Sequence, residues 1–134
     1  MSFAAGVIAA GEGSRLALAH PAVVKPLVPV AGRPLSHWVV GALRAAGARR
    51  LTVLTNSRGG AVVPSLSAAF PGFAFDFATA DTASSYESFR LVSRRLAERE
   101  DAFLVSTVDH RPGRRRRALL GRMPRGARRR GPRA

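Results

Sequence analysis

The sequence of 134 residues contains no cysteine and only one lysine, and it has no long apolar run. The absence of cysteine excludes disulfides, thiolate metal sites and cysteine nucleophiles, and it is typical of proteins in a reducing compartment. No apolar run approaches the roughly 20 residues that a membrane-spanning helix needs. The apolar stretch at residues 3–10 lacks the basic flank of a signal peptide. We therefore expect a cytoplasmic protein that makes no membrane contact.

The positive charge of the chain is concentrated at its C-terminal end. The formal net charge is +14, but residues 1–110 carry 11 basic residues against 8 acidic ones, whereas residues 111–134 carry 11 arginines and no acid. A segment of this composition buries too little apolar surface to offset the entropy lost on ordering. The sequence thus predicts one domain over 1–110 and a disordered arginine-rich tail over 111–134. The tail would contact nucleic acid only non-specifically, or it reflects a truncated or frame-shifted product with little activity.

Short apolar runs alternate with helical patterns over the first 110 residues. This alternation predicts a Rossmann-like α/β fold, a parallel sheet with helices on both faces, incomplete at the C-terminus. If the strand order is 3-2-1-4, the first and fourth strands meet at the switch point, where such sheets bind ligands. Prolines in the segment 14–34 predict an ordered loop there. The predicted strands are 3–9, 51–55, 73–78 and 102–108, and the predicted helices are 35–46, 62–70 and 85–98.

The first predicted strand runs into a glycine-rich turn. Gly11 and Gly13 allow a sharp turn that leaves backbone N–H groups free to approach a phosphate. The turn is neither a Walker loop nor a dinucleotide fingerprint, because the GK[ST] sequence and the third glycine are absent. By itself it is equally compatible with a plain connection from a strand to a loop.

Two motifs taken together resemble the N-terminal signature of the sugar nucleotidyltransferases and of the similar molybdenum cofactor guanylyltransferases. They read Gly11-x-Gly13-Ser14-Arg15-Leu16 and Lys25-Pro26-Leu27-x-Pro29-Val30-x-Gly32-Arg33-Pro34-Leu35. The resemblance implies a nucleotide-diphospho-sugar transferase-like fold. It also implies transfer of a nucleoside monophosphate from an NTP to a phosphorylated small molecule, such as a sugar 1-phosphate, with release of pyrophosphate.

The resemblance further implies roles for individual residues. Arg15 and Lys25 would be catalytic, with Arg15 on the β- and γ-phosphates and Lys25 on the α-phosphate under attack. Asp109, at the end of the fourth strand, would bind the Mg²⁺ cofactor. The residues that would hold the nucleotide, besides these two cations, are Ala10, Gly11, Gly13, Ser14 and Ser84.

Structural interpretations of the same residues stay open. Lys25 is also compatible with an ordinary solvated lysine, and Asp109 with a turn or helix cap. Ser84 fits the first position of a capping box that Glu87 completes. Trp38 fits the apolar face of the first helix. For the whole chain, the alternative function is a catalytically inactive nucleotide- or nucleic-acid-binding remnant that its basic tail dominates.

Overall fold

A four-stranded parallel sheet lies at the centre of the structure, a computed structural model that describes residues 2–10 and 24–108. The strands pair in the order β3-β2-β1-β4, and each neighbouring pair is parallel. This confirms the predicted fold class, and the order is the 3-2-1-4 order that was assumed for the switch point. The strands are β1 (Phe3–Ala9), β2 (Ala48–Thr55), β3 (Ala74–Thr79) and β4 (Phe103–Thr107).

Helices cover both faces of the sheet, so the strands are apolar on both sides. The helices are α1 (Leu35–Ala45), α2 (Val62–Ala69) and α3 (Ser85–Ala97). In β1, Ala5 and Val7 join the buried cluster under α1 and α2, whereas Ala4 and Ile8 join the cluster under α3. This alternation along one strand explains why β1 reads as a continuous apolar run.

α3 packs closely against β1 at a glycine. A Cβ built on Gly6 would overlap Val92 Cγ1 and would lie 3.0 Å from Leu96 Cδ1. Any larger residue at position 6 would therefore push α3 away from the sheet.

The helix ends follow the capping residues in the sequence. Gly47, which follows the C-cap residue Ala46 of α1, has φ 109, a conformation that favours glycine. At the start of α3, the Glu87 N–H donates to Ser84 Oγ at 3.1 Å, which confirms the predicted N-cap. The Glu87 carboxylate accepts from the N–H of Ala83 at 2.7 Å, one residue before the expected Ser84 N–H.

The start of β2 differs most from the predictions, whereas the other predicted bounds agree within one residue. β2 begins three residues earlier than predicted, because Ala48 and Arg50 already pair with β1, while Arg49 pairs with Glu100 Oε2 at 2.7 Å. The predicted loop at 14–34, where the structure describes it, contains a 3-10 turn at Lys25–Leu27 and a short antiparallel hairpin. The hairpin pairs Pro29–Val30 with Arg33–Pro34.

Part of the prediction falls on residues that the structure does not describe. The limit between a domain at 1–110 and a tail at 111–134 lies there, as does the predicted disorder of the tail. Within residues 2–10 and 24–108, no helix is both long enough and apolar enough to cross a bilayer.

Candidate nucleotide-binding site

The carboxyl ends of the four strands form one edge of the sheet. Ala9 at the end of β1 pairs with Thr55 of β2, and Thr55 pairs with Thr79 of β3. On the other side of β1, the Val108 N–H donates to Ile8 O at 3.2 Å, so pairing with β4 continues to this edge. From β1 the chain adds β2 and β3 on one side of β1, and it then crosses back to add β4 on the other side. The position between β1 and β4 is the switch point at which such sheets bind ligands.

Asn56 fixes the end of β1. Its Nδ2 donates to the carbonyl of Ala10 at 3.2 Å, and its Oδ1 accepts from the N–H of Arg58 at 3.1 Å. The side chain thus joins the residue before the glycine turn to the loop after β2. Sequence reasoning missed this role, although an asparagine directly after a strand is a signal for a side chain that bonds to nearby backbone.

The loop after β3 is joined to the loop after β2 in a similar way. The Ser57 N–H donates to Asp81 Oδ1 at 2.9 Å, and this bond holds the pKa of the Asp81 carboxyl below its usual value. Thr82 Oγ1 lies 2.5 Å from Ser88 Oγ in the first turn of α3. The carboxylate of Asp81 is therefore bonded to the Ser57 backbone, and it joins the loops after β2 and β3.

Lys25 begins the 3-10 turn in front of the hairpin. Its carbonyl accepts from the Val28 N–H at 3.1 Å, and Pro26 beside it is buried. The Val28 carbonyl accepts from the Leu35 N–H at the start of α1, at 2.8 Å. The backbone that carries Lys25 is therefore bonded to α1 through a single shared residue, Val28.

Trp38 reaches back from α1 to the hairpin. Its indole Nε1–H donates to Val30 O at 2.7 Å, and the guanidinium carbon of Arg33 lies 4.8 Å from the centre of its rings. The turn of the hairpin contains Ala31 with φ 48 and Gly32 with φ 78. The prediction placed Trp38 on the apolar face of the helix and missed this polar contact.

The structure describes three of the predicted site residues. Ala10 is buried at the carboxyl end of β1, and Ser84 caps α3, which begins at the same edge of the sheet. Lys25 is partly exposed in its turn against α1. The other predicted residues lie outside the described residues; they are Gly11, Gly13, Ser14, Arg15 and Asp109.

The described residues do not form a metal centre by themselves. Over 2–10 and 24–108, no group of three or more histidine, aspartate or glutamate side chains could hold an ion. A site that uses Asp109 with phosphate oxygens would depend on a residue beyond this part of the chain.

An open groove of about 820 Å³ runs along α3 and β3 and reaches Asp81 and Thr82 in the loop after β3. Ala10, Lys25 and Ser84 do not line it. Most of its lining side chains are charged, and Arg95 crosses it to Asp76, with both of its hydrogen bonds at 2.7 Å. The groove is therefore distinct from the predicted site residues that the structure describes.

Comparison with known proteins decides the family. The sequence profile of the MobA-like NTP transferase domain matches residues 5–123, which is most of the chain. The chain belongs to this family. The resemblance that the two motifs indicated is thereby confirmed.

Individual relatives cover the NTP transferase domain less completely. The bifunctional enzyme IspD/IspF of Caulobacter vibrioides is 37% identical over 73 residues, which are 54% of this chain and 18% of that protein. The chain thus spans less than a fifth of this curated relative.

Solved structures share the fold at low sequence identity. The inositol-1-phosphate CTP transferase from T. maritima has a TM-score of 0.65 and 19% identity, over 81% of this chain and 44% of that one. A UDP-glucose pyrophosphorylase complexed with UDP-glucose has a TM-score of 0.64 and 17% identity, over 81% and 46%. The chain spans about half the length of these proteins. Their similarity supports the nucleotidyltransferase fold, and the family match lends no support to the non-enzymatic alternative.

Proposed function

We propose that this chain is the NTP-binding part of a nucleotidyltransferase. The reaction transfers a nucleoside monophosphate from an NTP to a phosphorylated small molecule, of the sugar 1-phosphate class, and releases pyrophosphate. One observation carries the proposal: β1, which leads into the glycine turn, ends at the switch point between its neighbours β2 and β4. The names of the solved relatives, a CTP transferase for inositol 1-phosphate and a UDP-glucose pyrophosphorylase, support the same class of reaction.

The nucleotide lies against the turn that follows β1. Gly11, Gly13 and Ser14 offer backbone and hydroxyl donors to it, directly after Ala10, whose carbonyl Asn56 already engages. Ser84 adds a hydroxyl at the start of α3. Because the side chain of Asn56 bonds to Ala10, it holds in place the residue from which the chain enters the glycine turn.

Charge neutralisation accounts for most of the catalysis. An oxygen of the acceptor phosphate attacks the α-phosphorus of the NTP in line, and the bond from that phosphorus to the oxygen bridging the α- and β-phosphates breaks, so that pyrophosphate leaves with this oxygen. Lys25 offsets charge on the α-phosphate, and Arg15 offsets charge on the departing β- and γ-phosphates. No proton-transferring residue is required, because the attacking phosphate oxygen is already ionised.

We assign a Mg²⁺ ion to Asp109, which follows Val108 in the sequence. Val108 is the last described residue, and its N–H still bonds to Ile8 O of β1 near the carboxyl edge. One carboxylate together with phosphate oxygens and water is a donor set that Mg²⁺ accepts. Bound there, the ion would neutralise phosphate charge and orient the phosphate oxygens.

The remaining predictions about the chain belong to the same proposal. We keep the division into a domain at 1–110 and an arginine-rich segment at 111–134, and a cytoplasmic location. Contact with nucleic acid is confined to the arginine-rich segment and is non-specific. Such binding should weaken steeply as salt rises, because each phosphate contact releases condensed counterions.

Calorimetric titration of the full chain with each of the four NTPs in Mg²⁺ tests the proposal. Lys25→Ala should weaken the affinity about ten- to a hundredfold, since a charge-assisted hydrogen bond to phosphate contributes about 1.5–3 kcal/mol. Arg44→Ala is the matched control, because it removes a positive charge from the last turn of α1. Asp109→Asn should abolish the Mg²⁺ enhancement of binding. Equal affinities of wild type and Lys25→Ala would refute the assignment of Lys25.

A further inference from the structure

The turn that carries Lys25 has its backbone fixed by α1. Val28 is bonded on both sides: its N–H donates to the Lys25 carbonyl, and its own carbonyl accepts from the Leu35 N–H. Both bonds use groups of one residue, so a shift of α1 would displace the Lys25 turn with it.

Trp38 makes a further connection between α1 and this segment. It holds both strands of the hairpin, because its Nε1–H bonds to Val30 O and its rings lie under the Arg33 guanidinium. Val30 and Arg33 are themselves paired across the hairpin. A cation over a tryptophan ring and a hydrogen bond to its edge use different parts of the same side chain, so the two contacts coexist.

The hairpin needs such support. Ala31 has φ 48, in the left-handed region that residues with a Cβ adopt at a cost of about 1 kcal/mol or more. A conformation of this kind persists where the surrounding structure holds it. The indole hydrogen bond reaches Val30, the residue directly before Ala31.

From these contacts we infer that Trp38 is a positioning residue for Lys25. It fixes the hairpin that leaves the Lys25 turn, and thereby fixes where the Lys25 backbone lies relative to α1 and the sheet. The inference rests on the proposed function, which assigns Lys25 to the NTP phosphates. Positioning of a charged group has large effects on phosphoryl transfer, because the reacting geometry tolerates little displacement.

A double-mutant cycle tests the inference. Trp38→Phe keeps an aromatic ring under Arg33 but removes the N–H donor. NTP affinity is measured for the full chain as wild type, Trp38→Phe, Lys25→Ala and the double variant. Trp38→Phe should weaken affinity about threefold to tenfold, the range for one hydrogen bond. In the Lys25→Ala background the same change should have no effect, because the group that Trp38 positions is gone.

A matched control separates positioning from general weakening of α1. Ser65→Ala removes the hydrogen bond between Ser65 Oγ and His37 Nε2, 2.8 Å long, which joins α1 to α2 and does not involve the hairpin. We expect NTP affinity to be unchanged in this variant. Arg33→Gln provides a second route if Trp38→Phe folds poorly, and it should weaken affinity in the same direction and only when Lys25 is present.

The outcomes distinguish the inference from the proposed function. If Lys25→Ala binds NTP as wild type does, the assignment of Lys25 fails, and the role of Trp38 fails with it. If Lys25→Ala weakens binding but Trp38→Phe leaves it at the wild-type level, the inference alone is overturned. It is also overturned if Trp38→Phe weakens binding by the same factor with and without Lys25, because the effect would then be structural.

Discussion

The two faces of the sheet differ in how many apolar residues they bury. Under α1 and α2, fourteen buried residues form one cluster, whereas under α3 only six do, among the residues that the structure describes. The face under α1 and α2 therefore draws its stability mainly from apolar area removed from water. It also supports the hairpin and the turn of Lys25.

The α3 face relies on close fit and on charge. Gly6 lets α3 approach β1, and Arg95 of α3 makes two hydrogen bonds of 2.7 Å to Asp76 of β3. Thr52 of β2 adds a third hydrogen bond to the same carboxylate, at 3.2 Å. The comparison shows that a helix over a thin apolar cluster is held by a glycine contact and an ion pair. Substitutions on the two faces should consequently change the free energy of unfolding by different amounts and for different reasons.

The largest effect is expected from a cavity under α2. Leu66 is fully buried, so Leu66→Ala should lower the free energy of unfolding by about 3 kcal/mol. Leu96→Ala on α3 should have a smaller effect, about 2 kcal/mol, because Leu96 also lines the open groove and its loss leaves less closed space. Denaturant titration followed by circular dichroism measures both. Equal losses in the two variants would contradict the difference between the faces.

An intermediate effect is expected at the glycine contact. Gly6→Ala should destabilise the protein by about 1–3 kcal/mol, because the new methyl group would displace Val92 and Leu96. Gly41→Ala on α1 is the matched control, since its Cβ would lie 3.8 Å from Phe70 Cζ, an ordinary contact. That variant should gain about 0.5–1 kcal/mol from helix propensity. Thermal unfolding of the pair gives opposite signs if the account is correct.

The smallest expected effect concerns the pH range in which a titratable group on each face changes the free energy of unfolding. Burial, followed by the positive charge of Arg33, lowers the pKa of His37 below 6.5. The unfolded chain therefore binds the proton more readily, and the free energy of unfolding should fall as pH drops through 6.5. The hydrogen bond from Arg95 is the main cause that holds the pKa of Asp76 below 3.8. Its stabilisation is present above that value and is lost as pH falls through the lower, folded-state pKa.

Single variants assign these two pH ranges. His37→Gln, on the face under α1 and α2, should remove the decline that begins near pH 6.5. Asp76→Asn should reduce the decline below 3.8, to which Asp81 also contributes, and leave the higher range unchanged. Denaturant unfolding across pH measures both. If either variant changed both ranges, the two faces would not titrate independently.

The fold could be predicted further than the site. Continuous apolar runs mark strands buried on both faces, and their alternation with helices predicts a parallel sheet, whereas the order of the strands entered only as an assumption that the structure then bore out. The early start of β2 was missed because Arg49 reads as loop, whereas its long side chain leaves the strand and meets Glu100. A charged residue at the end of a strand is compatible with pairing when its side chain can reach solvent.

The contacts around the site depend on spatial neighbours that the sequence does not place side by side. Asn56 and Ala10 are 46 residues apart, and their hydrogen bond exists only because β1 and β2 are adjacent. The link from Trp38 to Val30 spans eight residues but requires a hairpin turn with Ala31 at positive φ, which nothing in the residue type indicates. By contrast, the Ser84 cap was predictable, because its partner lies three residues away.

Chemical labelling of Lys25 tests the central claim most directly, because it is the only lysine in the chain. Pyridoxal 5′-phosphate combines a phosphate with an aldehyde that forms an imine with an amine, and borohydride fixes the product for mass spectrometry. The α-amino group of Met1 is the internal control. If Lys25 binds NTP phosphates, NTP with Mg²⁺ should protect Lys25 from modification and leave the α-amino group as reactive as before. Modification of Lys25 at the same rate with and without saturating NTP would contradict the account.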